Sequence, residues 1–212
     1  MRYLAAFLVL GTLTVAAAPA HAVMIGGEVY GSFNTYAMGD WNDIIDEANA
    51  AGASIDNINN GISGGIGGRI WTGPNVMLAV AWEPLFASTE GSGAEVKLNG
   101  NSFVATIAYM VPVGTNARYG VGAGGGFYML NGELIDTGST FELEGSTVGF
   151  HVLGLAEWTV SPGFGITAGA GYRGAKISDT ELEGQSQDPE FETDYSGVTG
   201  RVGVVFYLPN SN

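Results

Sequence analysis

Residues 201–212 read RVGVVFYLPNSN. In the stretch from Gly200, Val202, Val204, Phe206 and Leu208 fall on one face of an extended chain, and Arg201, Gly203 and Val205 on the other. Alternation with period two is the signature of a strand whose two faces meet different surroundings. One face here is wholly apolar, and the other carries the charge. Residues 164–176 repeat the pattern: Phe164, Ile166, Ala168, Ala170 and Tyr172 oppose Thr167, Gly169, Gly171 and Arg173. Residues 148–160 do so again, with Val148, Phe150, Val152, Ala156 and Trp158 opposite His151 and Glu157.

Eight segments read this way, near residues 24–36, 62–71, 76–86, 103–112, 118–130, 147–160, 164–177 and 195–208. Their connections alternate in length. Residues 72–75, 113–117 and 161–163 make short links, whereas 37–61, 87–102, 131–146 and 178–194 make long ones. The Asn-Gly pairs at 99–100 and 131–132 predict hairpin tips inside two of the long connections. An even number of strands with alternately short and long loops predicts an all-β, eight-stranded antiparallel up-and-down transmembrane β-barrel, with the short turns and both termini in the periplasm. Within 37–61, Trp41, Ile44, Ile45 and Ala48 share one helical face, acids lie near its start and Gly52 can stop it. A short helix over 40–48 is therefore expected in the first outer loop, packing its apolar stripe on the barrel rim.

Charge follows the same parity. Residues 1–22 carry a basic start, an apolar run and an Ala20-His21-Ala22 site, the layout of a cleaved signal peptide. Residues 23–208 then form one barrel domain, with 209–212 as a short overhang. Removing Arg2 leaves six Lys and Arg against 21 Asp and Glu, a balance of −15 that excludes a nucleic-acid partner. There is no cysteine, so the exported chain holds together without disulfides. Arg69, Arg118, Arg173 and Arg201 face inward with Glu28, Glu83 and Glu157, and the remaining acids fall in loops. An Arg on the lipid face at mid-bilayer would cost about 2–4 kcal/mol, so this sorting has energetic weight.

The outward aromatics fall into two groups. Tyr109, Tyr119, Trp158, Phe164 and Phe206 gather towards the periplasmic end, and Phe33, Trp82, Phe103, Phe127, Phe150 and Tyr172 towards the outer end. Two aromatic girdles around an aliphatic band are expected of a membrane barrel. A soluble sandwich or lipocalin-like barrel also alternates, but explains neither the girdles nor the loop asymmetry.

With strands, parity and girdles in place, residues 23–208 resemble the small eight-stranded outer-membrane barrels of the OmpA/OmpX kind. The last strand of that superfamily carries an assembly signal: a polar residue, a Gly two positions on, then two hydrophobics separated by one residue. Arg201, Gly203, Phe206 and Leu208 fit it, although the overhang 209–212 departs from chains that end on the aromatic. The resemblance implies an outer-membrane location and recognition of the last strand by the barrel-assembly machinery.

Eight strands enclose a space that side chains can fill. Glu28, Arg69, Glu83, Arg118, His151, Glu157, Arg173 and Arg201 are therefore expected to form an ion-pair network plugging the lumen. Gly120, Gly122, Gly124 and Gly126 face inward along one strand. Either Tyr30, Tyr128 or Tyr207 packs on that bare wall, the favoured reading, or a cavity for water or ligand remains. Enzymatic chemistry is not expected. Lipid A deacylases of this scaffold need a Ser beside a His on one strand face, and Leu153 stands where the Ser would be relative to His151. Asp179, Glu181, Glu183, Gly184 and Glu190 have a spacing like an EF-hand loop, but two Glu replace the usual Asp or Asn and no helices flank it. A hydrated acidic loop is the default there. No metal site and no cofactor is predicted, although acidic loops suit divalent cations that bridge lipopolysaccharide. The expected function is that of a structural or surface-interaction barrel, monomeric, acting through acidic outer loops. A narrow conduit for a small or apolar solute is the alternative.

Overall fold

The computed structural model describes residues 24–91, 94–136, 139–178, 180–185 and 191–209. The expected signal peptide and the end of the overhang lie outside them. Eight long strands form the barrel: β1 (Met24–Thr35), β2 (Asn60–Trp71), β3 (Val76–Gly91), β4 (Ala94–Val113), β5 (Ala117–Asp136), β6 (Ser139–Ser161), β7 (Phe164–Gly174) and β11 (Gly197–Tyr207). Each pairs antiparallel with its sequence neighbour, and β11 closes the ring on β1 from Gly26↔Tyr207 to Asn34↔Thr199. Closure removes the free edges that an open sheet would present. The outer loops hold helix α1 (Gly39–Ala50) and three two-residue strands, β8 (Lys176–Ile177), β9 (Glu181–Leu182) and β10 (Thr193–Asp194).

The parity read from sequence is the parity observed. Val29, Ile66, Val80, Ile107, Val121, Val152 and Val202 stand on the outer surface, each more than half exposed. Glu28, Arg69, Glu83, His151, Glu157 and Arg173 are buried inside. The expected girdle residues lie outward too. Trp82, Phe103 and Phe127 are side by side in register on three adjacent strands, and Trp82 Nε1 donates to Asn101 Oδ1 at 3.1 Å. At the short-turn end, Tyr119 meets Trp158 edge-on at 5.7 Å and Phe164 meets Phe206 at 5.1 Å.

Two of the long connections are not loops. Residues 87–91 and 94–102 continue the β3–β4 ladder as far as Gly91↔Ala94, and 131–136 and 139–146 continue the β5–β6 ladder as far as Asp136↔Ser139. The Asn-Gly pairs sit in mid-strand instead of at tips, with Asn99 opposite Asn131 and Gly100 opposite Leu130. The physical reason is a second run of alternation. Ala87, Val96, Leu98, Leu130 and Leu143 point inward and are buried, and burial of that stripe outweighs the local turn preference of Asn-Gly. The acids placed in loops by sequence therefore stand on strands in part. Glu90, Glu95, Glu133, Glu142 and Glu144 occupy the outward positions. The four strands thus project roughly 30 Å along the chain direction beyond Trp82, and the outer face changes from apolar to acidic just above the girdle.

The projecting sheet is packed on its inner face by the remaining outer segments. Tyr36, Met38, Trp41, Ile45, Ile58, Ala175, Ile177 and Tyr195 join Leu85, Leu98, Val104, Tyr128 and Leu130 in one apolar core. Helix α1 belongs to this core, over the barrel mouth, and is not confined to the rim. Its Trp41 packs edge-on against Phe191 at 4.7 Å and donates to Thr193 Oγ1 at 3.0 Å. The expected stripe is narrower than read: Trp41 and Ile45 are buried, but Ile44 is 51 % exposed. Gly52, at φ +105°, ends the helix as anticipated. Both lateral edges of the projecting sheet are occupied. Thr89 Oγ1 donates to the Asp56 carbonyl beside β3, and β9 pairs with Leu143 and Glu144 of β6.

Candidate functional site in the lumen

Inward residues along the barrel axis make two apolar clusters and a set of polar groups. The outer cluster is the apolar core just described. At the short-turn end Trp71, Met77, Ala108, Met110, Leu153 and Leu155 form a second apolar cluster. Polar inward groups from every barrel strand stand between and among these clusters: along β6, Leu153 and Leu155 separate His151 from Glu157.

The lower half of this polar set centres on Arg69. The guanidinium pairs with Glu28 and, at 2.8 Å, with Glu157 Oε2. Thr167 Oγ1 donates to Glu28 at 2.7 Å, and Tyr207 OH donates to Glu157 at 2.7 Å while accepting from Trp71 Nε1 at 3.0 Å. Arg118 stands opposite Glu157 across β5–β6, but its guanidinium lies 4.2 Å over the Trp71 ring. In the upper half, Arg173 Nη2 donates to Glu83 Oε2 at 2.7 Å, and Tyr30 OH donates to the other oxygen of the same carboxylate. Arg201 rests 4.9 Å over the Tyr30 ring. Among the described residues, neither Arg118 nor Arg201 forms an ion pair with a carboxylate. His151 also stands outside the ion pairs: its Nε2 is 2.8 Å from Thr106 Oγ1. The eight residues named from sequence thus share one lumen, but Glu28, Arg69, Glu83, Glu157 and Arg173 alone make its salt bridges.

The contact between Thr106 and His151 explains one of the bare glycines. Gly124 lies between them in register, opposite Ala105–Thr106 on one side and His151 on the other. A Cβ on Gly124 would stand 2.8 Å from His151 Nε2 and closer still to the Ala105 carbonyl. Thr106 went unread in the sequence, although a buried His facing a glycine across a strand is the signal that marks it. The remaining wall is covered by β4 side chains: Met110 lies over Gly120, Ala108 and Thr106 over Gly122, and Val104 over Gly126. The tyrosines expected there pack elsewhere, Tyr30 on Gly65, Tyr128 on Gly149 and Tyr207 on Gly26. Among the described residues, small voids of about 10 and 20 Å³ remain in the lumen, enough for roughly one water each.

The acidic outer loop has a different arrangement from an EF-hand. Glu181 pairs through its backbone with Glu144, and Glu183, in a left-handed turn at φ 54°, accepts the Glu142 N–H at 2.9 Å. Asp179 and Glu190 lie outside the described residues. Among the described residues, no three ligating side chains gather as for a metal. Arg201, Gly203 and Phe206 lie on the closing strand and Leu208 directly follows it, with Phe206 and Leu208 56 % and 65 % exposed and Gly203 beneath Tyr30.

An eight-stranded barrel with an apolar belt between aromatic girdles and a filled lumen is an outer-membrane β-barrel. Comparison with solved structures finds the same fold. Neisserial surface protein A has a TM-score of 0.58 at 13 % identity, with 89 % of this chain and 98 % of that one covered. The outer membrane protein OprG from Pseudomonas aeruginosa has a TM-score of 0.57 at 9 % identity, covering 88 % and 96 %. Ail, the attachment invasion locus protein of Yersinia pestis, has a TM-score of 0.52 at 10 % identity, covering 87 % and 99 %. No protein-family profile and no curated protein sequence matches the chain. The fold is therefore that of the small outer-membrane barrels, and the chain is placed in the outer membrane.

Proposed function

We propose that this barrel is a non-conducting, non-enzymatic surface protein whose acidic projecting sheet engages a basic partner outside the cell. The carrying observation is the row of like charges on that sheet. Glu90 stands opposite Glu95, Glu133 opposite Glu142, and Glu144 opposite Glu181. Directly opposed like charges destabilise a sheet, so their retention suits a surface that gains from meeting cations. Lys97 is the one base among them, held by Glu95 at 2.9 Å. Ail has been crystallised with the polyanionic heparin analogue sucrose octasulfate. The sheet described here would repel such a ligand and favours a basic polypeptide or a layer of divalent cations on lipopolysaccharide.

The lumen supports the rest of the reading. Its inward side chains fill it with two apolar clusters and three buried salt bridges, and the glycine wall that motivated a solute conduit is covered. The hydroxyl of Thr106 beside His151 is sealed within the barrel, away from any lipid substrate. By the resemblance of its last strand, the chain is handed to the outer membrane by the barrel-assembly machinery. Planar-bilayer recording of the folded chain tests closure, with a silent baseline expected; discrete, reproducible steps would revive the conduit. Proteoliposomes should adhere to immobilised polylysine and not to a sulfated polymer. Adhesion unchanged by Glu133→Lys with Glu142→Lys would exclude the acidic sheet as the binding surface.

A further inference from the structure

The larger lumen void lies against Tyr30, Ser32, Thr106, His151, Thr199 and Arg201, with Glu83 and Arg173 also on its wall. The charged groups of the lumen divide unevenly about it. Towards the short-turn end, Arg69 alone pairs with Glu28 and Glu157, and Arg118 lies over the Trp71 ring. On the void's wall Arg173 and Arg201 face Glu83 as the one carboxylate, and Arg201 also borders the smaller void beside Glu28.

The unused hydrogen-bonding capacity there is mostly donor capacity. Arg201 makes neither a hydrogen bond nor an ion pair among the described residues. Its one contact of note is the Tyr30 ring. Arg173, 6 % exposed, keeps Nη1 without a partner. Ser32 stands opposite Arg201 in register and shares a hydroxyl contact with Ser63, which accepts from Asn34 Nδ2 at 2.9 Å. With Ser63 donating to Ser32, the Ser32 O–H is free. Thr199, 5 % exposed, also lines the void with its hydroxyl unpaired among the described residues. The one carboxylate on the wall has both oxygens engaged, by Tyr30 and Arg173.

We infer that this void is a binding site for one small monovalent anion of halide size, held by Arg201 and Arg173 with the hydroxyls of Ser32 and Thr199. Size and charge select it together. A void of about 20 Å³ admits a particle close to water in size, which favours a halide over phosphate, sulfate or an organic acid. Arg173 is buried with Nη1 unpartnered and Arg201 is half-buried beside the same void, so a single negative charge there is stabilised by two guanidinium groups. The site goes beyond the surface role proposed above and does not depend on it.

The test is ³⁵Cl NMR of the detergent-solubilised chain, titrated with chloride at constant ionic strength against gluconate, which is too large for the void. Folding of each variant is checked by heat-modifiable electrophoretic mobility. Wild-type protein should give saturable excess line width that bromide displaces. Arg201→Gln should weaken it at least tenfold, and Thr199→Val, which keeps the charge, several-fold. Broadening that grows linearly with protein and never saturates would overturn the site. So would saturable broadening undiminished in Thr199→Val, should Arg201→Gln fail to fold. Crystals grown in bromide should show one anomalous peak between Arg201 and Thr199, and water alone at that position would refute the inference.

Discussion

Arg69 is the single cation between two carboxylates that are 6 % and 2 % exposed, and it is itself 4 % exposed. Arg69→Met keeps much of the side-chain volume and removes the charge, leaving Glu28 and Glu157 facing each other without a cation. Removing one partner of a buried pair costs about 3–5 kcal/mol. The Thr167 and Tyr207 hydroxyls still donate to these carboxylates, which places the expected loss at the lower end, near 3 kcal/mol. With a urea slope of roughly 1.5–2 kcal/mol/M for a chain of this size, the unfolding midpoint in detergent should fall by about 2 M. The triple variant Arg69→Met, Glu28→Gln, Glu157→Gln should recover most of it, because the stranded charges are then gone. A midpoint that moves by less than about 0.5 M in Arg69→Met would show a hydrated, screened lumen. The account of a lumen plugged by buried salt bridges would then fail.

Trp41→Ala empties the centre of the outer core and removes a buried indole hydrogen bond, a change worth about 3–5 kcal/mol. Limited proteolysis should open residues 36–59 while the barrel keeps its heat-modifiable mobility; loss of both together would show that cap and barrel fold as one unit. Burial pushes the Tyr36 hydroxyl up to about 12. Because its folded pKa lies above the unfolded value, its contribution is intact below about pH 10 and is lost as pH rises towards 12. Absorbance at 295 nm should therefore show a late-titrating tyrosine that disappears in Tyr36→Phe, and a stability loss above pH 10 that is smaller in the variant. Gly124→Ala should cost about 1–3 kcal/mol, since the new methyl meets backbone that cannot move aside; a neutral result would mean that Thr106 and His151 are not in contact. On the outer surface, Ile66→Arg should cost about 2–4 kcal/mol in bilayers and Asn99→Arg almost nothing. Equal costs would misplace the membrane edge.

The inside and outside of this barrel were legible in the sequence because strand parity is local. Val202, Val204 and Phe206 declare a lipid face and Arg201 a lumen face, whatever strands flank them. The girdles follow from the same parity, and the short-turn end from Pro and Gly spacing. Three things were not legible. The hairpins of β3–β4 and β5–β6 run through their Asn-Gly pairs because Leu98 and Leu130 bury in one core with Trp41 and Ile45 of α1 and with Ala175, Ile177 and Tyr195, a partner set more than 30 positions distant. The tyrosines chose Gly65, Gly149 and Gly26 over the β5 wall because barrel stagger sets which inward residues share a level, and no single strand records the stagger. Which guanidinium meets which carboxylate was likewise decided across the lumen: Arg69 reaches Glu157, 88 positions away, while Arg201 reaches none. A chain of alternating faces determines what must point inward, and closure of the ring alone determines what each inward group finds there.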